Sequence, residues 1–336
     1  HHAHVGEGGL QPTSDAADCP AGARARAAVD HARAQVASLL GCDPDEVVFT
    51  SGGTEANNLA IRGVMEASPR RDVVTTVIEH PATSRPCAWL ARRGHRVALL
   101  PVDRDGRAVP DAGVFDEHTA LLTVMHANNE TGVIQRVAEL SALARRVGAL
   151  VHTDAAQSVG KVPVRVRDLG VDLLTVAGHK LYAPKGVGAL YVRRGTPLAP
   201  FCLGAGHERG LRPGTENVAS LVGLGVACEL TQRELDASIA RVTTLRNTLW
   251  ERLSRAVPGL ARNGHPTEVL PNTLSVRFPR ASGSAVSVGV LHAPLGGDKA
   301  PPWPVVLGCV AAAREPRARS RRRRVLDDGG DHAPAR

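Results

Sequence analysis

Seven short runs of this chain are apolar almost from end to end: Val47–Thr50, Val73–Ile78, Val97–Leu100, Leu121–Met125, Ala149–His152, Leu173–Val176 and Gly188–Val192. A strand with one wet face alternates apolar and polar residues, whereas a strand that is apolar throughout is covered on both faces. The stretches between the runs carry helical spacing. The pattern therefore predicts an α/β fold, a mostly parallel sheet flanked by helices on both sides. The first helix is the clearest: Ala25, Val29, Ala32, Val36 and Leu39 repeat at three- and four-residue steps, and Gly41 stands where a glycine closes a helix. Glu216 to Val257 is again helical in pattern, and Thr273–Phe278 reads as a further strand.

Composition narrows the function classes. The 336 residues are 43% hydrophobic, enough for a large domain with a smaller one beside it. No apolar run approaches the roughly 18 residues of a membrane span, and the polar, His- and Gly-containing start shows no secretory signal, so no membrane partner is expected. The six cysteines lack CxxC spacing, which argues against a zinc site or disulfide scaffold and for a cytoplasmic protein. The net charge of +8 is concentrated: Arg314–Arg324 holds seven arginines and one glutamate, with almost no aromatic partners. That run reads as a solvated tail, and nucleic acid is not an expected partner.

Ligands of open α/β sheets bind beyond the carboxyl ends of the strands. Five of the predicted strands are followed there by polar or ionisable residues: Ser51-Gly52-Gly53-Thr54-Glu55, Glu79-His80, His126-Ala127-Asn128-Asn129-Glu130, Thr153-Asp154-Ala155-Ala156-Gln157, and Ala177-Gly178-His179-Lys180. Ser51–Thr54 leads into a helix, so it reads either as a phosphate cradle or as a glycine turn with Thr54 as N-cap. Lys180 is either a solvated loop lysine or, drawn out of water, an amine that can form a Schiff base. Asp154 would hold a pyridine nitrogen protonated or cap a helix. His80 would face a ring and shuttle protons, or serve as a core or capping residue. Asn129 and Gln157 would hydrogen-bond a phenolate oxygen or simply shape turns. Taken together, a phosphate loop, a lysine, an aspartate and a ring-facing histidine at strand ends of one sheet describe a site for pyridoxal 5'-phosphate (PLP).

The segments TSGGTEANNLAIRG, IEHPA, MHANNETGVIQ, HTDAAQSVGKVPV, AGHKLYAPKGVGALYVRR and GHERGLRPGTENVA resemble the cysteine desulfurase and selenocysteine lyase family, a branch of the class-V aminotransferases within the fold-type I PLP enzymes. The resemblance covers about residues 22–283. It implies a large PLP-binding domain over 22–232 and a partial small domain over 233–283, between an atypical segment 1–21 and a Pro- and Arg-rich tail 284–336 expected to be disordered. It also implies roles. Lys180 would carry the Schiff base, Asp154 would pair with the pyridinium nitrogen, and His80 would stack on the ring and move protons. Asn129 and Gln157 would contact the phenolate oxygen, and Gly53, Thr54 and His179 the phosphate, with Gly178 in the same lysine-bearing loop. Thr215 would reach the cofactor of a partner subunit, which implies a homodimer. The implied reaction turns L-cysteine, or L-selenocysteine in the lyase variant, into L-alanine, and delivers sulfur through an active-site cysteine to an acceptor protein, as in iron–sulfur cluster assembly.

Four departures stand out. Ala177 replaces the serine that some members carry two residues before the histidine. No cysteine motif resembling SGSAC or GAACHS is recognisable: Ser282-Gly283-Ser284-Ala285-Val286 falls too early, and the expected place reads Gly296–Trp303, with Cys309 the nearest thiol. The late substrate-binding arginine and the N-terminal segment resembling LDNAATT also have no counterpart, as if the ends were out of frame or replaced. The alternatives are therefore a selenocysteine lyase, separable by relative turnover, and a PLP-binding but inactive relative, which would hold cofactor and release no alanine.

Overall fold

The computed structural model describes residues 20–279 together with 306–309. Helix α1 (Pro20–Leu40) buries Val29, Ala32, Val36 and Leu40, and ends at Gly41 with φ +71°, a left-handed geometry open to a residue without Cβ. One sheet holds seven strands: β1 (Val47–Thr50), β2 (Asp72–Thr76), β3 (Val97–Leu100), β4 (Thr119–Met125), β5 (Leu150–Asp154), β6 (Leu173–Ala177) and β7 (Gly188–Val192). Their order is β1-β7-β6-β5-β4-β2-β3. β7 runs antiparallel to both its neighbours, and the remaining pairs are parallel. Helices α2 (Gly53–Ala67), α3 (Pro81–Ala91), α4 (Val137–Arg146) and α5 (Val166–Leu169) lie in the connections, and α6 (Val218–Ala256) follows β7.

The continuous apolar runs have the reason the pattern suggested. Val48, Val73, Leu121, Leu173 and Leu190 share one core with Leu59, Ile61 and Val64 of α2. Their strand neighbours Phe49, Val74, Leu122, Leu174 and Tyr191 share the opposite core with α1, with Leu140 of α4 and with Leu224 of α6. Each large side chain so buried contributes roughly 1.5–3 kcal/mol, so a strand polar on alternate residues could not occupy either position.

Several boundaries differ from the sequence reading. β2 stops at Thr76 rather than Ile78, because the Thr76 hydroxyl donates to Glu79 Oε1 (2.7 Å) and accepts the Ile78 N–H (3.4 Å), turning the chain out of the sheet. β5 continues to Asp154, which pairs with Met125 on one side and Thr175 on the other. α2 begins at Gly53 with Gly52 as its N-cap at φ +144°, so Thr54 does not cap it. The domain boundary expected at 232/233 falls within α6, a single helix of 39 residues. A second sheet joins β8 (Ala261–Arg262), β9 (Thr273–Arg277) and β10 (Val306–Cys309), β9 being antiparallel to β8 and parallel to β10. Val306–Cys309, grouped by composition with a disordered tail, is a strand: its apolar residues pair one for one with Thr273–Val276. The segment 1–19, Gly296–Trp303 and Arg314–Arg324 lie outside the described residues. No described helix is long and apolar enough to cross a membrane.

Between β7 and α6 a buried ion pair helps to hold the chain down. Glu208, at φ +46°, accepts Arg33 Nη1 (2.8 Å), Arg33 Nη2 (2.6 Å) and the Phe49 N–H (2.8 Å). The two side chains are only 14% and 2% exposed, and Arg33 also lies over the Phe49 ring at 4.6 Å. Removing one partner strands the other charge in the core. Arg33→Ala is therefore expected to cost about 3–5 kcal/mol in denaturant unfolding; a loss below about 1 kcal/mol would mean that water screens the pair as it does at a surface.

Candidate active site

The carboxyl ends of β1, β2, β4, β5 and β6 lie along one edge of the sheet. Because β7 is antiparallel, its first residue sits at that same edge, with Gly188 opposite both Thr50 and Ala177. A Cβ on Gly188 would lie 2.6 Å from the Val176 carbonyl oxygen and 2.7 Å from Gly52 Cα. Its absence lets the loop after β1 lie close against β6. A cavity of about 350 Å³ opens at this edge.

One end of the cavity is built for an anion. Gly53 and Thr54 line it as the first residues of α2, where backbone N–H groups have no intrahelical acceptor and the helix dipole favours negative charge. The Ser51 N–H is already taken by Glu55 Oε2 (2.8 Å), and Glu55 Oε1 accepts Arg212 Nε (2.8 Å). Burial alone would push the Glu55 carboxyl up, but Arg212 and Ser51 outweigh it and hold it below the usual carboxylate range. His179 lines the same cavity, its pKa lowered by burial and then by the charges of Lys180, Lys185 and Lys161. Three ammonium groups around one imidazole make a field that a phosphate would satisfy. Ala177 contributes no hydroxyl to this wall.

The other end is built for a cation. Asp154 closes β5 as a buried carboxyl, raised above its ordinary range by burial. Its oxygens accept Asn57 Nδ2 (2.7 Å) and the Ala156 N–H (3.0 Å). No helix begins at Asp154, so it is not a helix cap. Asn57 also donates to Thr83 Oγ1 (3.2 Å), which fixes its rotamer. The sequence reading passed over Asn57. Its signal is that it is the one polar residue among the buried residues of α2. Buried carboxylates are kept ionised by a cationic partner, and a pyridinium N–H is such a partner.

The remaining groups line the same cavity. His80 is both an N-cap and a cavity residue: its Nδ1 accepts the Ala82 N–H (3.1 Å) at the start of α3, which leaves the proton of the neutral ring on Nε2. Asn129 and Gln157 line the cavity. Lys180 lies in a 3-10 turn, Gly178–Leu181, anchored by buried Leu181 and closed by Tyr182 at φ +63°. It lines this cavity and a second one of about 360 Å³ beneath α6.

Of the residues singled out from the sequence, Gly53, Thr54, His80, Asn129, Asp154, Gln157, His179 and Lys180 meet around one cavity. Gly178 lies beneath it, where a Cβ would stand 2.6 Å from the Val187 carbonyl oxygen. Gly178→Ala is therefore expected to push the lysine turn off β7, costing about 1–3 kcal/mol and lowering PLP uptake. Unchanged melting and uptake would show that the backbone yields freely there. Thr215 does not join the cavity. It is exposed, on the loop that Arg212 ties to Glu55.

Residues 15–290 match the family described as Aminotransferase class-V. Cysteine desulfurase IscS of Dictyoglomus turgidum is 41% identical over 280 residues, 82% of this chain and 70% of that protein. The chain is a member of the cysteine desulfurase family. Among solved structures, a NifS-like protein superposes with a TM-score of 0.78 at 37% identity, covering 82% of this chain and 76% of that one. SspA, determined in complex with cysteine, gives 0.69 at 32% identity, covering 81% and 77%. The chain spans between 65% and 70% of the length of the curated cysteine desulfurases it matches at 41–45% identity.

For a desulfurase the position of the thiols matters. Among the described residues no cysteine lines the cavity. Burial pushes the thiols of Cys42, Cys87 and Cys228 up to about 12, far from a thiolate, while Cys202 is exposed on the loop after β7. Cys309 is the last residue of β10, paired in register with Val276.

Proposed function

We propose that this chain is a PLP-dependent cysteine desulfurase that converts L-cysteine to L-alanine and passes the sulfur to a thiol. The observation that carries this reading is what meets in one cavity: a helix start suited to an anion, His179, Lys180, His80 and a buried carboxyl. A phosphorylated pyridine aldehyde has matching ends. When bound, PLP supplies an electron sink for the carbanion that forms at the substrate's Cα.

The protein's own groups do the rest. The N–H groups of Gly53 and Thr54, with His179, would hold the phosphate. Asp154, its oxygen held by Asn57 Nδ2, would accept the pyridinium N–H. Lys180 Nζ is the amine that would hold the cofactor and that, when free, would take the proton from the substrate's Cα. His80, with its proton on Nε2, would donate from that atom at the ring. A thiol then takes the sulfur: cysteine and a thiol give alanine and a persulfide, which balances without any added oxidant or reductant. The cysteine-bound SspA relative supports L-cysteine as substrate. The exposed Thr215 loop, tied through Arg212 and Glu55 to the phosphate end, supports a homodimer in which Thr215 reaches the other subunit's cofactor. A sulfur-accepting protein completes the cycle.

The test is alanine and sulfide release from L-cysteine by the PLP-loaded full chain with excess dithiothreitol. Equal amounts of both are expected. A chain that visibly holds PLP yet forms no alanine would overturn the proposal.

A further inference from the structure

After β5 the chain turns back on itself through hydrogen bonds from the Val159 N–H to the Ala155 carbonyl (3.0 Å) and from the Lys161 N–H to the Ser158 carbonyl (2.9 Å). This brings Lys161 one turn beyond Gln157, and Lys161 Nζ donates to Gln157 Oε1 at 3.1 Å. An ammonium has three donors and no acceptor, so it can bind only the oxygen of the amide. The bond settles which way the amide faces. The oxygen points to Lys161, which lines the cavity beneath α6, and the NH₂ is the end left for the PLP cavity that Gln157 lines. Gly160 allows this arrangement: at φ +77°, any Cβ there would collide with Leu181 Cδ2, beside Lys180.

We propose that Lys161 is a positioning residue of the desulfurase site, holding Gln157 with its amide N–H toward the cofactor so that this corner accepts only an acceptor oxygen, the phenolate of PLP. The inference rests on the PLP reading above. Its cost is visible. Burial and then the charge of Lys180 push the Lys161 ammonium down to about 8, so keeping it charged there disfavours the fold rather than supporting it. A surface lysine paired with Gln157 would carry no such cost.

The test is the pH midpoint of the visible absorbance change of bound PLP in the loaded full chain. Lys161→Met is expected to raise that midpoint by about one unit, since a phenolate without its donor leaves the neighbouring nitrogen more basic. Lys161→Arg, which keeps a donor, should restore it. In a Gln157→Ala background, Lys161→Met should move the midpoint no further. An unmoved midpoint, or an equal shift without Gln157, would overturn the proposal. Should Lys161→Met not fold, Gln157→Glu carries the test: Lys161 would hold the new carboxylate, the cavity would lose its donor, and a wild-type midpoint would again overturn the proposal. A wild-type chain that takes up no PLP would sink the site reading and this inference together. A wild-type chain that releases alanine while Lys161→Met leaves the midpoint unmoved would sink the inference alone.

Discussion

Lys180→Ala should abolish alanine release from L-cysteine, with a loss of at least roughly 10⁴-fold, as expected when the group that makes and breaks the covalent bond is removed. The effect should be chemical and not structural. Lys180 is half-buried at the wall between two cavities, and its turn is anchored by Leu181 and by Gly178 packed against β7. The variant should therefore melt within a degree or two of the parent. PLP should still be drawn to the site by the α2 start, His179 and Asp154, but should wash out on gel filtration. Borohydride reduction followed by peptide mass analysis reads this directly: the parent should carry the cofactor on the peptide containing Lys180, and the variant on none. Residual alanine release above about a thousandth of the parent rate would place the essential amine elsewhere. Lys161, the neighbouring half-buried lysine, would be the first to examine.

Asp154→Asn should separate catalysis from stability. The substitution keeps the shape but removes the charge that would face the pyridine nitrogen, and the loss of so placed a charge would cost roughly 10²–10³-fold in turnover. The apoprotein should move the other way. Asp154 has its native pKa raised above the ordinary value of 3.8, chiefly by burial. A carboxyl raised in the folded state destabilises the fold once pH exceeds its unfolded value, and the cost is complete above the native value. At neutral pH the neutral amide removes that cost. Asn57 can accommodate it by turning over, since its Oδ1 has no partner in the present arrangement. Apo Asp154→Asn should thus be at least as stable as the parent, and the stabilisation gained on adding PLP should shrink. A destabilised apo variant with full turnover would mean that Asp154 serves only to pack β5.

These two variants probe positions visible in the linear sequence, and the reason is local. A strand apolar on both faces and a helix with one apolar stripe leave their burial written at periods of two and 3.6 residues. The residues that follow such strands are exposed to a ligand by the geometry of the sheet alone. Lys180, Asp154, His80 and Gly53 could therefore be picked out one by one. So could the alternation of strand and helix, to within two residues at the end of β2 and of β5.

What neighbouring residues could not tell is which strand ends lie side by side. That depended on β7 inserting antiparallel between β1 and β6, which puts the loop after β1 next to the lysine turn. Asn57 reaches Asp154 across 97 residues, and Arg33 reaches Glu208 across 175. No periodicity spans such gaps, because each contact exists only once the sheet has ordered its strands and a helix has docked on it. The orientation of Gln157 is a case apart. Lys161 is only four residues away, and the pair was there to be seen in the chain. That its amide turns one end to each of two cavities follows only from the turn that Gly160 permits and from the packing of that turn on Leu181. Periodicity reports which residues are buried; the docking of distant elements alone decides what each buried polar group faces.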